Sequence, residues 1–376
     1  MSTPQHRVQG LDNDHVQADW PALGDEELAW LGTRHAALAG HARVLWHSPR
    51  PFSAAALVQG PQGRVFVKRH HARVRSASAL EEEHHFIAHL AAAGVPVVQV
   101  LAGLDGHTAL ARDAWTYEVH AEGVGADLYR DMPSWTPLTD LGRARTVGAM
   151  LAQLHQAAVD YTAAQRDTHV LVARDDLIRA PDLLALLRSQ LRARPGLAAY
   201  LADVPWEADL TRAVLPWHAA LGHRYAGEAA CWGHNDWHVS NLLWQGDGAA
   251  ASISTVFDFG LAARTSALFD LATAIERNAV DWLASGGPVG YPDTALALLE
   301  GYRQQRPLSA AQVALLVDLL PVVHVDFALS EVEYFDAITG SRANADVAYH
   351  TFLIGHADWF TSTTGRSLLD TLRSAA

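Results

Sequence analysis

Short apolar runs cut by Pro and Gly fill residues 41–71, whereas from about residue 138 onward the apolar positions recur at helical spacing. That change of period divides the chain. Before it, "DEELAWLGTRHAALAG" (25–40) reads as a short helix after a polar lead. Residues 55–59 and 64–68 read as half-buried strands joined by the turn "GPQG" (60–63). The stretch 76–94 predicts a helix with Ser76 as N-cap, Gly94 as stop and Leu80, Phe86, Ile87 and Leu90 on one side. "VPVVQVLAG" (95–103) and "WTYEVHAEG" (115–123) read as further strands. Beyond them, helices are expected over 144–158, 266–285 and 310–336, the last bent at Pro321, with a hairpin-like insert at 231–260. Strands followed by helices predict an α+β fold. The expected parts are an N-terminal extension (1–40), a β-rich lobe with one helix (41–122) and a mainly helical lobe (123–376).

Composition narrows the partners. Hydrophobic residues make up 49% of the 376 positions, enough for a sizeable core, and no apolar run reaches the ~18 residues of a membrane span. A net charge of −13 argues against nucleic acid or an anionic membrane as the main partner. The polar N-terminus lacks the apolar centre of a signal peptide, and Cys231 is the single cysteine, so the cytoplasm is the expected compartment. The 21 histidines are scattered, and none stands in a CxxC or HExxH pattern, so no structural zinc site is expected.

The chemistry concentrates in "HNDWHVSNLLW" (234–244) and "VFDFG" (256–260). Phosphoryl transfer from ATP needs a lysine on the phosphates, an acid to hold it, a carboxylate at the nucleophile and oxygen ligands for Mg²⁺. Lys68 ends a predicted strand, and Glu83 follows on the predicted helix, with Glu81 and Glu82 as rivals for its partner. His234, Asp236 and Asn241 have the H-x-D-x-x-x-x-N spacing of a kinase catalytic loop, with Asp236 as base and Asn241 on the metal. Asp258 is the second expected metal ligand, and Gly260 the expected sharp turn.

With these residues in order, the chain resembles the aminoglycoside phosphotransferase and choline-kinase-like small-molecule kinases over roughly residues 41 to 285. "HNDWHVSNLLW" is similar to that group's HGDxHxxNhLh pattern. "EHHFIAHLAAAGVPV" (83–97), "LAQLHQ" (151–156) and "LFDLATAI" (268–275) resemble its flanking segments. The resemblance implies a bilobal protein-kinase-like fold, ATP, Mg²⁺ and an adenine site at a hinge near Tyr117, Glu118 and Val119. It favours Glu83 as the partner of Lys68. The group's Gly is replaced by Asn235 and its Pro-Gly by Val239-Ser240; no GxGxxG is present, so Ser48 and Ser53 in "HSPRPFSAAA" (47–56) stand as the phosphate-loop candidates.

Three further groups have expected roles. His234 braces the loop, His238 contacts neighbouring backbone, and Asp270 anchors its helix against the loop. On a helix, Asp326 and Glu333 share a face at i, i+7. With Trp282, Tyr334 and Trp359 they are candidates for an aromatic and acidic acceptor site suited to an amine, set against an amphipathic helix with a solvated face. The expected activity is transfer of the γ-phosphate of ATP to a hydroxyl of a small polar, amine-bearing acceptor such as an aminoglycoside, amino sugar, amino alcohol or homoserine-like compound. A bacterial stress-response type of protein Ser/Thr kinase and a nucleotide-binding pseudokinase are the alternatives.

Overall fold

The computed structural model describes residues 5–7, 15–17, 19–48, 50, 52–130, 132 and 134–376. The chain forms two compact units. The first is 1–126 with 254–257, and the second is 127–253 with 258–376.

In the first unit, β1 (Gln5–Arg7) pairs antiparallel with β2 (His15–Gln17), and α1 (Asp25–Gly32) follows. The helix is shorter than the sequence suggests; residues 36–38 form a separate 3-10 turn. A five-stranded antiparallel sheet is built from β3 (Arg43–His47), β4 (Ala54–Gly60), β5 (Gly63–His71), β6 (Ala109–Arg112) and β7 (Trp115–Ala121), in the order β3-β4-β5-β7-β6. Between β5 and β6 lies α2 (Ala77–Ala92), capped by the Ser76 hydroxyl, which accepts from Ala79 N at 3.1 Å. Gly94, at φ +84°, closes the helix as expected of a left-handed stop.

Period two gives the sheet two different faces. Ala54, Ala56, Val58, Val65, Val67, Tyr117 and Val119 form one apolar face, packed against Leu23, Leu28, Leu31 and Leu38. The segment 23–38 is therefore part of this core. Glu27 of α1 pins it there, accepting from Arg69 at 2.6 Å and Tyr117 at 2.7 Å. The opposite face carries Lys68, His70, Glu118 and His120, since Lys68 pairs in register with Glu118, and residues two apart share a face. Residues 95–103 do not form the expected strand. Val97 makes a lone bridge to Val256 and Val100 one to His120, while Pro96 has no N–H for a ladder.

The second unit is mostly helical: α3 (Leu141–Ala157), then the short helices α4 (Asp176–Arg179), α5 (Leu183–Gln190), α6 (Pro195–Leu201), α7 (Trp206–Ala213) and α8 (Leu215–Ala226). Next come β8 (Ala230–Gly233), β9 (Leu242–Gln245), β10 (Ser252–Val256), whose residues 254–256 belong to the first unit, and β11 (Ala263–Ser266). β8 pairs antiparallel with β11, so the expected hairpin insert is wider than 231–260. α9 (Ala267–Asn278) stops seven residues before the predicted end and leads through β12 (Val280–Asp281) and β13 (Val289–Gly290) into α10 (Pro292–Gln305). The predicted 310–336 helix is two helices, α11 (Ala310–Leu319) and α12 (Val325–Glu333), with Pro321 in the turn between them. α13 (Arg342–Val347), α14 (Gly355–Trp359) and α15 (Thr363–Arg373) complete the chain. The architecture is α+β, an antiparallel sheet followed by a helical remainder. Among the described residues no helix is long and apolar enough to cross a membrane.

Candidate active site

In the second unit, the loop after β8 is held from behind by α9. Asp270, fully buried, accepts from His234 N at 2.7 Å, Asn235 N at 2.8 Å and His155 Nε2 at 3.0 Å. Gly233 permits this approach, since a Cβ there would lie 2.4 Å from Asp270 Oδ2. At the other end of the helix, Asn278 donates to Trp237 O at 2.8 Å and accepts from Val239 N at 3.1 Å. These bonds also explain the early stop of α9, because Asn278 turns its amide to the loop.

Asn235 stands at φ 59°, a left-handed conformation that Asn adopts more readily than most side chains. It therefore serves where the related proteins' pattern has Gly. Its amide donates to Gly233 O and Ala263 O, and its Oδ1 accepts from Thr265. His234 Nδ1 accepts from Asp236 N at 3.2 Å, and its ring packs 4.6 Å from that of Phe259. His234 thus braces the loop.

Asp236 emerges from this frame. Asn241 Nδ2 donates to its main-chain O at 2.9 Å and its Oδ2 at 3.2 Å. Its Oδ1 forms a close ion pair with Arg277, and His238 Nε2 lies 3.5 Å from the same oxygen. With its Nδ2 committed to Asp236, Asn241 has Oδ1 as its other polar side-chain atom. Asp258 has φ 61° and ψ 65° and opens the 3-10 turn 259–261. The sharp turn beside it is therefore at Asp258 itself and not at Gly260, which has no positive φ.

Arg277 was not singled out by its sequence context. Its guanidinium lies 4.7 Å from the Trp135 ring and 5.3 Å from that of Phe327, and among the described residues its Nε has no hydrogen-bond partner. Burial pulls its pKa down, and the charge of Glu331 works against that shift. Burial, reinforced by Glu331, pushes the neighbouring Glu276 up to about 8. His356 Nδ1 is 2.7 Å from Glu276 Oε1.

The acceptor candidates have the following surroundings. Asp326 accepts from Leu177 N at 3.3 Å, and Glu333 is paired with Arg194 at 2.7 Å. Tyr334 is fully buried against Phe335, and Trp282 stacks on His356 with its Nε1 donating to Glu276 O. The face of α12 turned to Arg277 carries Phe327 and Glu331, one and two residues from the expected positions. A helix with several acids offers more than one plausible face, and only packing selects between them.

In the first unit, Lys68 and Glu83 are both buried, whereas Glu81 pairs with His107 at the surface and Glu82 is half-buried. Glu118 and Val119 lie inside β7, which runs on to Ala121. The Glu118 carboxylate accepts from three imidazoles: His70 at 2.9 Å, His84 at 2.8 Å and His120 at 2.7 Å. Burial opposes its ionisation, but the histidines hold it well below the usual carboxylate range. Ser48 directly follows β3 and Ser53 directly precedes β4; Ser48 N donates to Ala55 O at 2.8 Å, and its hydroxyl accepts from Arg50 N at 3.3 Å.

The profile described as the phosphotransferase enzyme family matches residues 52–308. A homoserine kinase of Methylocella silvestris is 30% identical over 205 residues, 53% of this chain and 54% of that protein. One from Cupriavidus necator is 28% identical over 63% of each. The chain thus spans between half and two thirds of these relatives' length. A microcompartment-associated aminopropanol kinase shares the fold, with a TM-score of 0.58 at 19% identity over 89% of this chain and 97% of that one. So does a spectinomycin phosphotransferase solved with ADP and spectinomycin, with a TM-score of 0.55 at 12% identity over 94% and 98%.

Proposed function

The chain belongs to the phosphotransferase enzyme family, and from that premise we propose that it transfers the γ-phosphate of ATP to a hydroxyl of a small charged acceptor. The carrying observation is Asp236, presented between the Asn241 amide and Arg277 on a loop braced by Asp270 and Asn278. In this reading Asp236 orients the acceptor hydroxyl and takes its proton. A loose transition state asks more for such positioning than for a strong base. Asn241 Oδ1 and the Asp258 carboxylate would hold Mg²⁺, and hard oxygen donors of this kind suit it. When bound, the ion neutralises phosphate oxygens. Lys68, with Glu83 as its partner, serves the α/β-phosphates, and Ser48 and Ser53 stand at the phosphate turn. The small-molecule names of the relatives favour this reading over a protein kinase or a pseudokinase.

Arg277 and Glu331 support an acceptor that carries both charges, a hydroxy amino acid of the homoserine type. An incoming carboxylate would share the Arg277 guanidinium with Asp236, and an ammonium would meet Glu331. The test is ADP release with ATP, Mg²⁺ and a panel of homoserine, serine, an amino alcohol and an amino sugar. The zwitterionic acceptors should give the highest kcat/KM. Asp236→Asn should lower kcat by about 10²–10⁴-fold. Arg277→Ala should raise KM for carboxylate-bearing acceptors alone. Turnover on no member of the panel would refute the acceptor class, and full activity in D236N would refute the role of the aspartate.

A further inference from the structure

The polar face of the first unit's sheet holds a second constellation that phosphoryl transfer does not use. His84 of α2, Glu118 and His120 of β7 offer one ligand atom each, all within 4.8 Å of one another, and all three residues are buried. Both imidazole Nε2 atoms converge on the same oxygen, Glu118 Oε2, at 2.8 and 2.7 Å. We infer that these three residues form a binding site for a divalent transition-metal ion, with Zn²⁺ as the expected occupant.

Three features carry this. The donor set of two imidazoles and one carboxylate is that of three-ligand metal centres with an open position. The outer partners are in place as well. Thr108 Oγ1 lies 2.8 Å from His84 Nδ1 and orients that ring, and His70 Nε2 donates to the other carboxylate oxygen, Glu118 Oε1, at 2.9 Å. Hydrogen bonds of this kind fix ring orientation at metal sites and raise ligand basicity. Finally, the geometry needs little change. Zinc bonds of about 2.0–2.1 Å set neighbouring donors about 3.3 Å apart, so the two rings would retreat by about half an ångström. The chain spacing hides the site: His84 comes from a helix, Glu118 and His120 from a strand, and no short motif joins them. Occupancy would tie α2, which also bears Glu83, to β7.

The test uses full-length, tag-free protein, stripped with chelator and titrated with Zn²⁺ and separately with Co²⁺ against a chromophoric competitor. The expected result is a single ion per chain with submicromolar affinity and visible Co²⁺ bands of a nitrogen- and oxygen-bound ion. The double variant H84Q/H120Q should lose at least 100-fold in affinity, and Thr108→Ala about 10-fold. Should the double variant fail to fold, X-ray absorption of the zinc-loaded wild type decides, where a shell with two imidazoles supports the site. No uptake by the wild type at micromolar Zn²⁺, equal uptake by wild type and double variant, or a zinc shell without imidazole overturns it. Because the readout is metal binding, an inactive kinase assay leaves this result untouched.

Discussion

Asp270 in the second unit and Glu118 in the first are both buried carboxylates, and they are satisfied by different donors. Asp270 takes two backbone N–H groups and one imidazole. Glu118 takes three imidazoles. A backbone N–H has one state, so it can hold a loop in a single shape. An imidazole can change tautomer, gain a proton or bind a metal, so the Glu118 cluster is adaptable where the Asp270 clasp is rigid. Rigidity lies behind the loop that carries Asp236, and adaptability lies on the polar face of the first unit's sheet. Glu276 is a third case. Its Oε1 meets one neutral imidazole, that of His356, and burial keeps it protonated near neutral pH.

The contrast can be broken by mutation. Asp270→Asn should have the largest effect, because its NH₂ must face donors that cannot turn away. A loss of about 3–5 kcal/mol in unfolding free energy is expected, and kcat should fall with it. A loss below about 1 kcal/mol in denaturant titration would show that the clasp does not hold the loop. Glu276 gives the next effect, through pH. Its folded pKa of about 8 lies above the ordinary 4.5, so the folded state keeps a proton that the unfolded state has lost. Its contribution is intact below 4.5 and is lost as pH rises toward about 8, by at most about 1.4 kcal/mol per unit. Melting curves should therefore show Glu276→Gln gaining on the wild type across that window, and a constant difference would contradict the assignment. Gly233→Ala should cost about 1–3 kcal/mol, since the new methyl meets Asp270. Glu118→Gln should cost least, about 1–2 kcal/mol, because an imidazole can switch tautomer to accept from the new amide. If it costs as much as Asp270→Asn, the imidazoles are as fixed as backbone and the comparison fails.

Parts of this site were legible from local spacing. The H-x-D-x-x-x-x-N run places Asn241 against Asp236, because five residues of tight loop bring an amide back to its own carboxylate. The Ser76 cap and the Gly94 stop were readable for the same reason, since each bond closes within a few residues. Asp270 was also readable as an anchor, from its place at the start of a helix. The role of Asn278 was not, nor was that of Arg277 on the same helix. Each meets the loop through side-chain contacts about 40 residues apart in sequence. The acids of α12 were visible, but the face turned to Arg277 was not.

By itself the sequence determined the change from a strand-rich to a helical part and the hydrogen bonds that close over short loops, and it supplied the residue types on which the proposed phosphate chemistry rests. Those depend on backbone period and on chain distances of a few residues, which are written in neighbouring letters. Tertiary structure alone decided which helix face meets Arg277, which residue takes the left-handed turn before Phe259, and that two histidines and a glutamate from separate elements meet at one point. Their juxtaposition follows from packing a helix on a sheet, a long-range outcome that no local spacing encodes.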